Sequence, residues 1–431
     1  MLLILIAKEL RESVLSARFA VTSLLCVILM AAAAGIMIGD LATLQEDYDA
    51  ARALHARDMD PEHMNEEQIF IMGINLDKPP SPLMVYAAGI DPRLPNMVNI
   101  SLLRGSSAKG GQGEDAGLAV FGSLDVASVV LLVLSLAAIL LTYDAVAGEK
   151  ERGTLKLLLS NAVPRDMVLL GKFIGRFMVI LIPFLTGTAA AFLLMVLWGG
   201  MELGGAEYAR LGLLTLLSVL YIGVFCMLGL FISCVTKKAA TALLILLLLW
   251  VVGVYALPRA SSLVAGALRP MPPASGVEAE RSRAFLDSLK GMMGGGGDQD
   301  NPFGGARREW AKLDEYVGAK ARARTRVAGG IARLSPSGAY LLAAMRLADT
   351  GPERHDRFLA SAGKFDEAYT AWVMERFRNR EGADPPPRLD MRPDRLDDAL
   401  NSALFDIVLL AGWCIVLFAG SWVAMLRYDV T

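Results

Sequence analysis

Six apolar segments, each long enough to cross a bilayer, constrain this chain more than any other feature of its sequence. About 20 apolar residues are needed, because a helix rises about 1.5 Å per residue and the hydrocarbon core is about 30 Å thick. Hydrophobic residues make up 54% of the 431 residues and charged residues only 20%. Because the backbone must satisfy its own hydrogen bonds in lipid, we predict an α-helical membrane protein with six transmembrane helices, at residues 19–38, 124–143, 173–198, 211–235, 239–257 and 403–426.

Lysine and arginine near the span ends predict the orientation, since cytoplasmic loops carry an excess of both. The short loop between the third and fourth spans carries Glu202 and Glu207 instead. Basic residues stand before the first span, between the second and third, between the fourth and fifth, and after the sixth: Lys8, Arg11, Arg18, Lys150, Arg152, Lys156, Arg165, Lys172, Arg176, Lys237, Lys238 and Arg427. Both termini are therefore predicted to be cytoplasmic.

Residues 1–18 are predicted to form an amphipathic helix in the cytoplasmic interface, because Leu3, Ile6 and Leu10 recur at helical spacing. The alternative is a helix that simply continues into the first span. The small residues at 31–34 also resemble a signal-peptide cleavage site, but the apolar run continues to Ile38. That run is long for a signal peptide and favours an uncleaved first span.

Two long polar regions, residues 40–122 and 258–402, are predicted to form two extracytoplasmic domains. The first should be α/β, with a helix at 41–57, short strands at 69–76, 83–90 and 97–103, and a glycine-rich linker at 105–117. The second should be mainly α, with helices near 277–290, 307–327 and 352–380. Ser335 is predicted to cap an apolar helix at 338–347. This helix either dips into the outer leaflet or closes the core of the second domain.

The sequence contains none of the nucleotide-binding, metal-binding or nucleic-acid-binding features that we considered. It contains no phosphate-binding loop, its three histidines form no ligand cluster, and its net charge of −2 gives no attraction to nucleic acid. Asp125, Asp144 and Asp406 stand near span ends, where we expect water to reach them. A proton- or sodium-coupled pump is expected to place carboxylates near the midplane. Their absence indicates an energy source on another chain.

A dense charge cluster follows the second span directly. Residues 143–155 read YDAVAGEKERGTL, and residues 160–165 read SNAVPR. With an amphipathic helix before six spans, and long external regions after the first and fifth, this pattern resembles the permease subunits of bacterial ATP-binding cassette (ABC) transporters of the type-2 class. It is most similar to the branch named for multicopper-enzyme maturation, which includes the permease of the nitrous-oxide-reductase accessory system.

The resemblance implies that the cytoplasmic region 144–172 holds a coupling helix that docks on a soluble ATPase. The residues carried over to this ATPase-coupling site are Glu149, Lys150, Glu151, Arg152, Gly153, Thr154 and Leu155. Alternating charges suit a polar interface, Gly153 permits a sharp turn, and Thr154 can cap the next one. The alternative is a positive-inside loop with capping residues only.

The expected function is that of a non-catalytic, membrane-spanning subunit in the bacterial inner membrane, coupling ATP hydrolysis to transport, with export the expected direction. No cofactor or metal is expected on this chain, because ATP and Mg²⁺ belong to the ATPase. The expected partners are that ATPase, a second copy or a paralogue, and the lipid bilayer. One alternative is a mechanotransmission subunit that drives a periplasmic protein without a transported substrate. Another is a membrane scaffold or receptor with no ATPase.

Overall fold

The computed structural model describes residues 2–58, 73–101, 105–109, 124–160, 164–198, 203–293, 304–378, 387–391 and 394–428. Most of these residues are helical, and six helical segments are long and apolar enough to cross a membrane. The predicted helical membrane fold is therefore confirmed.

The first part of the chain contributes an N-terminal amphipathic helix, three spans and a short helical elbow. In chain order its helices are α1 (Leu2–Val14), α2 (Ala17–Asp58), α3 (Val126–Val129), α4 (Ser135–Thr142), α5 (Ala147–Arg152), α6 (Thr154–Ser160) and α7 (Arg165–Trp198). A π-helical turn, Val130–Leu134, joins α3 and α4 into the second span. Three short strands lie between α2 and α3: β1 (Ile74–Asp77), β2 (Met97–Ser101) and β3 (Gly105–Lys109).

The second part contributes the last three spans and a helical external region. Its helices are α8 (Gly205–Val235), α9 (Ala239–Trp250), α10 (Leu257–Leu268), α11 (Ala274–Met293), α12 (Gly304–Ala332), α13 (Pro336–Leu347), α14 (Pro352–Arg378) and α15 (Leu396–Leu426). The fifth span runs from α9 through a π-helical turn, Val251–Ala256, into α10. The end of the bundle that holds α1 and the end of α15 is called the terminal end, predicted to be cytoplasmic. The opposite end is the domain end.

The N-terminal helix is separate from the first span. The hydroxyl of Ser16 donates to the carbonyl of Ser13 (2.6 Å) and accepts from the backbone N–H of Phe19 (3.2 Å), which ends one helix and starts the next. The prediction of a distinct helix is confirmed, and the alternative of one continuous helix is wrong. Leu3 and Ile4 are exposed on α1, as a helix lying in an interface requires.

The first span continues far beyond the bilayer. At about 1.5 Å per residue, the 42 residues of α2 reach about 63 Å, roughly twice the thickness of the hydrocarbon core. The helix predicted at 41–57 is therefore the continuation of the first span. It extends from the domain end and contacts β1.

The two external regions share one hydrophobic core. The strands form an antiparallel sheet in the order β1-β2-β3, with Ile74 opposite Ile100 and Leu76 opposite Val98. One face of this sheet packs with four aromatic side chains of α14, those of Phe358, Phe365, Tyr369 and Trp372. The predicted domains 40–122 and 258–402 therefore pack together into a single external unit.

The strand predictions are partly right. Within the described residues, β1 and β2 confirm the strands expected near 69–76 and 97–103. The strand expected at 83–90 is wrong, because Pro82–Val85 forms a 3₁₀ turn whose apolar side chains are buried among the spans. The linker expected at 105–117 begins instead with β3, which pairs with β2. The rest of that linker lies outside the described residues.

Helix α13 lies between α8 and α15 rather than in the core formed by the sheet and α14. Ser335 caps it as predicted, accepting a hydrogen bond from the N–H of Gly338 (3.0 Å). Its first turn meets Tyr221, and its last carbonyl, that of Leu347, accepts from Arg210 (3.2 Å). Arg210 and Tyr221 are 11 residues apart on α8, so α13 reaches about 16 Å into the bundle. The helix therefore does not close the core of the sheet and α14, as one alternative expected, and packs among the spans at the domain end.

Two of the span-end carboxylates are buried, contrary to the prediction that water reaches them. Asp125 accepts from the N–H groups of Ala88 and Ser128, both at 2.7 Å, and so caps α3. Asp406 is fully buried and pairs with Arg333 and Arg346, each at 2.5 Å. Both acids are therefore structural anchors at the domain end, because buried charges persist where they are paired or hydrogen-bonded.

Candidate coupling site

The predicted coupling residues form a helical elbow at the terminal end. Helix α5 stops at Gly153, which adopts a left-handed conformation (φ 73°) that costs glycine little, and α6 begins at the next residue. The hydroxyl of Thr154 lies 3.4 Å from the carbonyl of Glu149 and donates to it. The predicted sharp turn at Gly153 is confirmed. The prediction that Thr154 caps the following turn is wrong, because its hydroxyl bonds back to α5 across the turn at Gly153.

The elbow is fastened to the spans at both of its ends. The hydroxyl of Ser233 on α8 accepts from the N–H groups of Val146 and Ala147 at 3.0 and 2.9 Å. These donors belong to the first turn of α5, where backbone N–H groups have no partner within the helix. On α6, Leu155 is fully buried in an apolar cluster that includes Leu169 and Met425. The elbow is thus held against α7, α8 and α15.

Glu149 points inward, into a buried cluster of charges. Its Oε1 accepts from Nζ of Lys172 at 2.6 Å, and the same ammonium donates to Oε1 of Glu9 at 2.8 Å. Lys172 is 1% exposed and Glu9 3% exposed. One lysine therefore joins the elbow, the span α7 and the N-terminal helix α1.

The cluster continues through Arg176 and Asp144. The Arg176 guanidinium lies 3.3 Å from Oε2 of Glu9 and 2.6 Å from Oδ1 of Asp144, while Arg18 reaches the other oxygen of Asp144 at 3.1 Å. Burial acts to raise the pKa of Glu9, but the neighbouring Lys172 and Arg176 outweigh it and hold that pKa below its ordinary value. Glu9 is therefore ionised at neutral pH.

Two glycines of α7 allow this close approach. A Cβ at Gly171 would lie 2.4 Å from the Leu5 side chain, and a Cβ at Gly175 would lie 2.7 Å from Cβ of Glu9. Small residues four apart let two helix backbones approach closely. They bring Glu9 within reach of Lys172.

Lys150 and Glu151 fasten the turn between the fourth and fifth spans. The Lys150 ammonium donates to the carbonyls of Cys234 and Thr236 at the end of α8. A carboxylate oxygen of Glu151 accepts from the N–H of Ala239, the first residue of α9, at 3.2 Å. A cation at a helix C-terminus and an anion at an N-terminus both complement the helix dipole. These two charges are thus placed to hold the α8–α9 turn against the elbow.

The outer surface of the elbow carries the remaining predicted residues. Glu151, Arg152, Gly153 and Thr154 are exposed to solvent, as is Leu157, at 69%. The sequence prediction did not separate these residues from the inward-facing Glu149, Lys150 and Leu155.

Sequence reasoning missed the residues that support the elbow. Glu9, Lys172 and Ser233 are remote from it in the chain. Their only sequence signal is that a lysine and a serine lie in or beside long apolar helices, where polar residues need partners. Arg165, counted only toward the orientation, donates to the carbonyls of Met425 and Leu426 at 2.9 and 2.8 Å and so caps α15.

No group of three or more histidine, cysteine, aspartate or glutamate side chains that could hold a metal ion occurs among the residues that the structure describes. The chemistry available at the elbow is that of charge pairing and helix-end capping.

Comparison with known proteins places these features in a family. The model of the ABC-2 family transporter proteins matches residues 3–430. The chain is 41% identical over 101 residues to the probable ABC transporter permease protein NosY of Stutzerimonas stutzeri, a match that covers 23% of this chain and 36% of that relative. It is 39% identical over 87 residues to the probable ABC transporter permease protein NosY of Pseudomonas aeruginosa, covering 20% of this chain and 31% of the relative.

The matched stretch spans only about a third of either relative, whereas the family match covers nearly the whole chain. The similarity to NosY supports the branch expected from the sequence. With six membrane-spanning helices, the family match identifies a multi-pass protein of the inner membrane. The chain belongs to the ABC-2 family of transporter proteins.

Proposed function

We propose that this chain is the permease subunit of an ABC exporter, and that a separate cytoplasmic ATPase drives it through the α5–α6 elbow. The observation that carries the proposal is an exposed, charged elbow that is fixed to three spans and to α1 by buried contacts. ATP and Mg²⁺ would bind to the ATPase, and a second copy or a paralogue would complete the membrane part.

The seven predicted coupling residues divide into two roles in this proposal. Glu151, Arg152, Gly153 and Thr154 form the docking surface, and the exposed Leu157 adds an apolar contact beside them. Glu149, Lys150 and Leu155 face the spans and transmit the displacement. Lys150 fixes the elbow to α8, and Glu149 reaches Lys172 on α7.

The test is ATP hydrolysis by the complex of this chain with its ATPase, compared with hydrolysis by the ATPase alone. We expect the charge reversal Arg152→Glu to weaken ATPase binding and abolish the difference, while the contact of Glu151 with the start of α9 stays intact. A matched control is the reversal Lys8→Glu with Glu12→Lys, an exposed pair (3.9 Å) on α1 at the same end of the bundle. Unchanged hydrolysis and binding in the elbow variant would refute the docking surface.

A second function, transmission of force to a periplasmic partner, is favoured by the way the external unit is locked to the fourth span. The Ser218 hydroxyl on α8 lies 2.9 Å from both the Tyr86 and the Tyr340 hydroxyls. Tyr86 belongs to the first external region and Tyr340 to the second. A displacement of α8 would therefore move the external unit directly.

The α11–α12 hairpin offers a test of this second function. Its helices face each other where Arg281 pairs with Asp314 and Phe285 stacks on Trp310, so residues 278–317 can be replaced by a short loop that keeps both helix stumps together. A periplasmic protein that copurifies with the complex and is lost from this variant would support force transmission. Transport of a substrate by the shortened variant at the normal rate would contradict it.

A further inference from the structure

Helices α7 and α8 line a cavity of about 360 Å³ near the domain end. On α7 the lining residues include Leu185 and Met195, and on α8 they include Leu211 and Thr215. Val85 and Tyr86 of the 3₁₀ turn segment also line the cavity. Its volume lies within the range of about 300–1,000 Å³ that is typical of ligand pockets.

The cavity spans one leaflet of the bilayer. We take Arg176, whose charge is paired with Asp144, as the terminal-end limit of the part of α7 that lies in hydrocarbon, and Trp198 ends the helix at the other side. Leu185 is nine residues beyond Arg176, about 14 Å along the helix, and so lies near the midplane. From Leu185 to Met195 the rise is about 15 Å, which equals half of the hydrocarbon thickness of about 30 Å. In the predicted orientation this half is the outer leaflet.

The cavity opens sideways, toward lipid. Leu185, Phe192 and Tyr208 line it and are 48%, 39% and 47% exposed on the outer surface of the bundle. Hydrocarbon rather than water surrounds this surface at that depth. The opening therefore admits apolar chains from the side and gives water no direct entry.

The lining offers very few polar atoms. The Tyr86 hydroxyl is already occupied, because it lies 2.9 Å from Oγ of Ser218 and 3.3 Å from the carbonyl of Leu214. The Thr188 hydroxyl is buried and has no hydrogen-bond partner among the described residues. These few hydroxyls cannot replace the hydration of a charged or strongly polar ligand, whose burial would cost several kcal/mol per group, so the lining selects a hydrocarbon chain.

We propose that this cavity binds one acyl chain of an outer-leaflet phospholipid, with the headgroup left at the interface. The driving force is packing, since moving a chain from lipid to an apolar pocket gains nothing from the hydrophobic effect. An unfilled void deprives its lining of dispersion contacts that a well-fitting chain restores. Binding of this acyl chain requires neither the ATPase nor a transported substrate.

The test uses the full chain in vesicles of phosphatidylethanolamine and phosphatidylglycerol that contain a phosphatidylglycerol with a photoactivatable diazirine at mid-chain. The protein is extracted, washed in detergent to remove surrounding lipid, irradiated, and mapped by peptide mass spectrometry. We expect about one retained lipid per chain, cross-linked within residues 185–195 or 208–215. Absence of retained lipid, or cross-links spread evenly over all spans, would overturn the proposal.

The variant Gly212→Leu fills the cavity, because Gly212 lines it and a Cβ there meets no atom within 4 Å. We expect this variant to retain at least about tenfold less lipid per chain than the unmodified protein. Gly412→Leu is the matched control, since its Cβ also meets open space but lies on α15, away from the cavity. Equal melting temperatures of the two variants would show that both fold. Equal lipid retention by both variants would refute the site. A disulfide between two copies of the Phe192→Cys variant would also refute it, because a second copy would then cover the opening.

Discussion

Lys172 is 1% exposed and lies between two carboxylates, 2.8 Å from Glu9 and 2.6 Å from Glu149. Methionine has a similar length and no charge, so Lys172→Met would leave the buried Glu9 and the partly buried Glu149 with less compensation. Breaking a buried ion pair by removing one partner typically costs about 3–5 kcal/mol. We therefore expect the free energy of unfolding to fall by an amount in this range.

Arg176, the second cation of the cluster, determines how large the loss of stability in Lys172→Met is within this range. Arg176 remains 3.3 Å from Glu9 and still compensates it. Glu149 has no second cation within reach among the described contacts. Its Oε2 is buried without a hydrogen-bond partner, and its Oε1 loses the Lys172 ammonium in the variant. We therefore expect a loss of about 3 kcal/mol, at the lower end of the range, arising mainly at Glu149.

A double-mutant cycle separates the Glu149–Lys172 contact from its surroundings. Glu149→Gln keeps the shape of the side chain and removes the charge, and should cost about 1.5–3 kcal/mol, the contribution of a hydrogen bond to a charged group. The double variant should be more stable than the sum of the single losses predicts. The interaction energy should be about 1–3 kcal/mol, as found for residues in direct contact.

The assay is thermal and denaturant unfolding of the complex in nanodiscs, together with ATP hydrolysis by the folded fraction. Lys8→Met serves as the control, because Lys8 is about half exposed in its pair with Glu12 and should change stability by less than about 1 kcal/mol. Additivity of the two single variants within about 0.5 kcal/mol would refute the cluster. Normal coupling in folded Lys172→Met would refute its role in transmission.

Three further predictions concern the turn, the hydroxyl network and the external unit. Gly153→Ala should destabilise the elbow by about 1–2 kcal/mol, measured by thermal unfolding, because its φ of 73° suits glycine, whereas Gly153→Asn should be tolerated better. Ser218→Ala should cost about 1–3 kcal/mol in the same assay by removing the partner of the Tyr86 and Tyr340 hydroxyls. Burial and the nearby Lys78 lower the pKa of His355 to about 4 from an ordinary 6.5. The unfolded chain therefore binds more protons between these values, and stability should fall as the pH is lowered from 6.5 toward 4. His355→Gln should flatten this dependence, as measured by denaturant unfolding at pH 7 and pH 5.

The spans, the N-terminal helix and the Gly153 turn could be predicted because each depends on local sequence. Span length follows from bilayer thickness, and the turn follows from the conformational freedom of glycine. The cap of α13 at Ser335 belongs to the same class, since its partner is only three residues away. Local chemistry decides these features without knowledge of distant contacts.

The directions of the charged side chains could not be predicted in this way. Glu149 and Glu151 are two residues apart in one helix, yet Glu149 faces a lysine of the third span and Glu151 the start of the fifth. The strand expected at 83–90 failed for a related reason. Its short apolar run suits a strand, but the spans offer Tyr86 and its neighbours a better burial site than any strand edge does.

Helix α8 connects the two halves of the molecule. At the terminal end, Ser233 accepts two N–H groups from the first turn of the elbow. Fifteen residues earlier, about 22 Å along the same helix, Ser218 joins the hydroxyls of Tyr86 and Tyr340 from the two external regions. Because an uninterrupted helix moves as a stiff element, α8 would carry a displacement of the elbow to the external unit. Export and force transmission would therefore share this route, and they differ only in what the external unit contacts at the domain end.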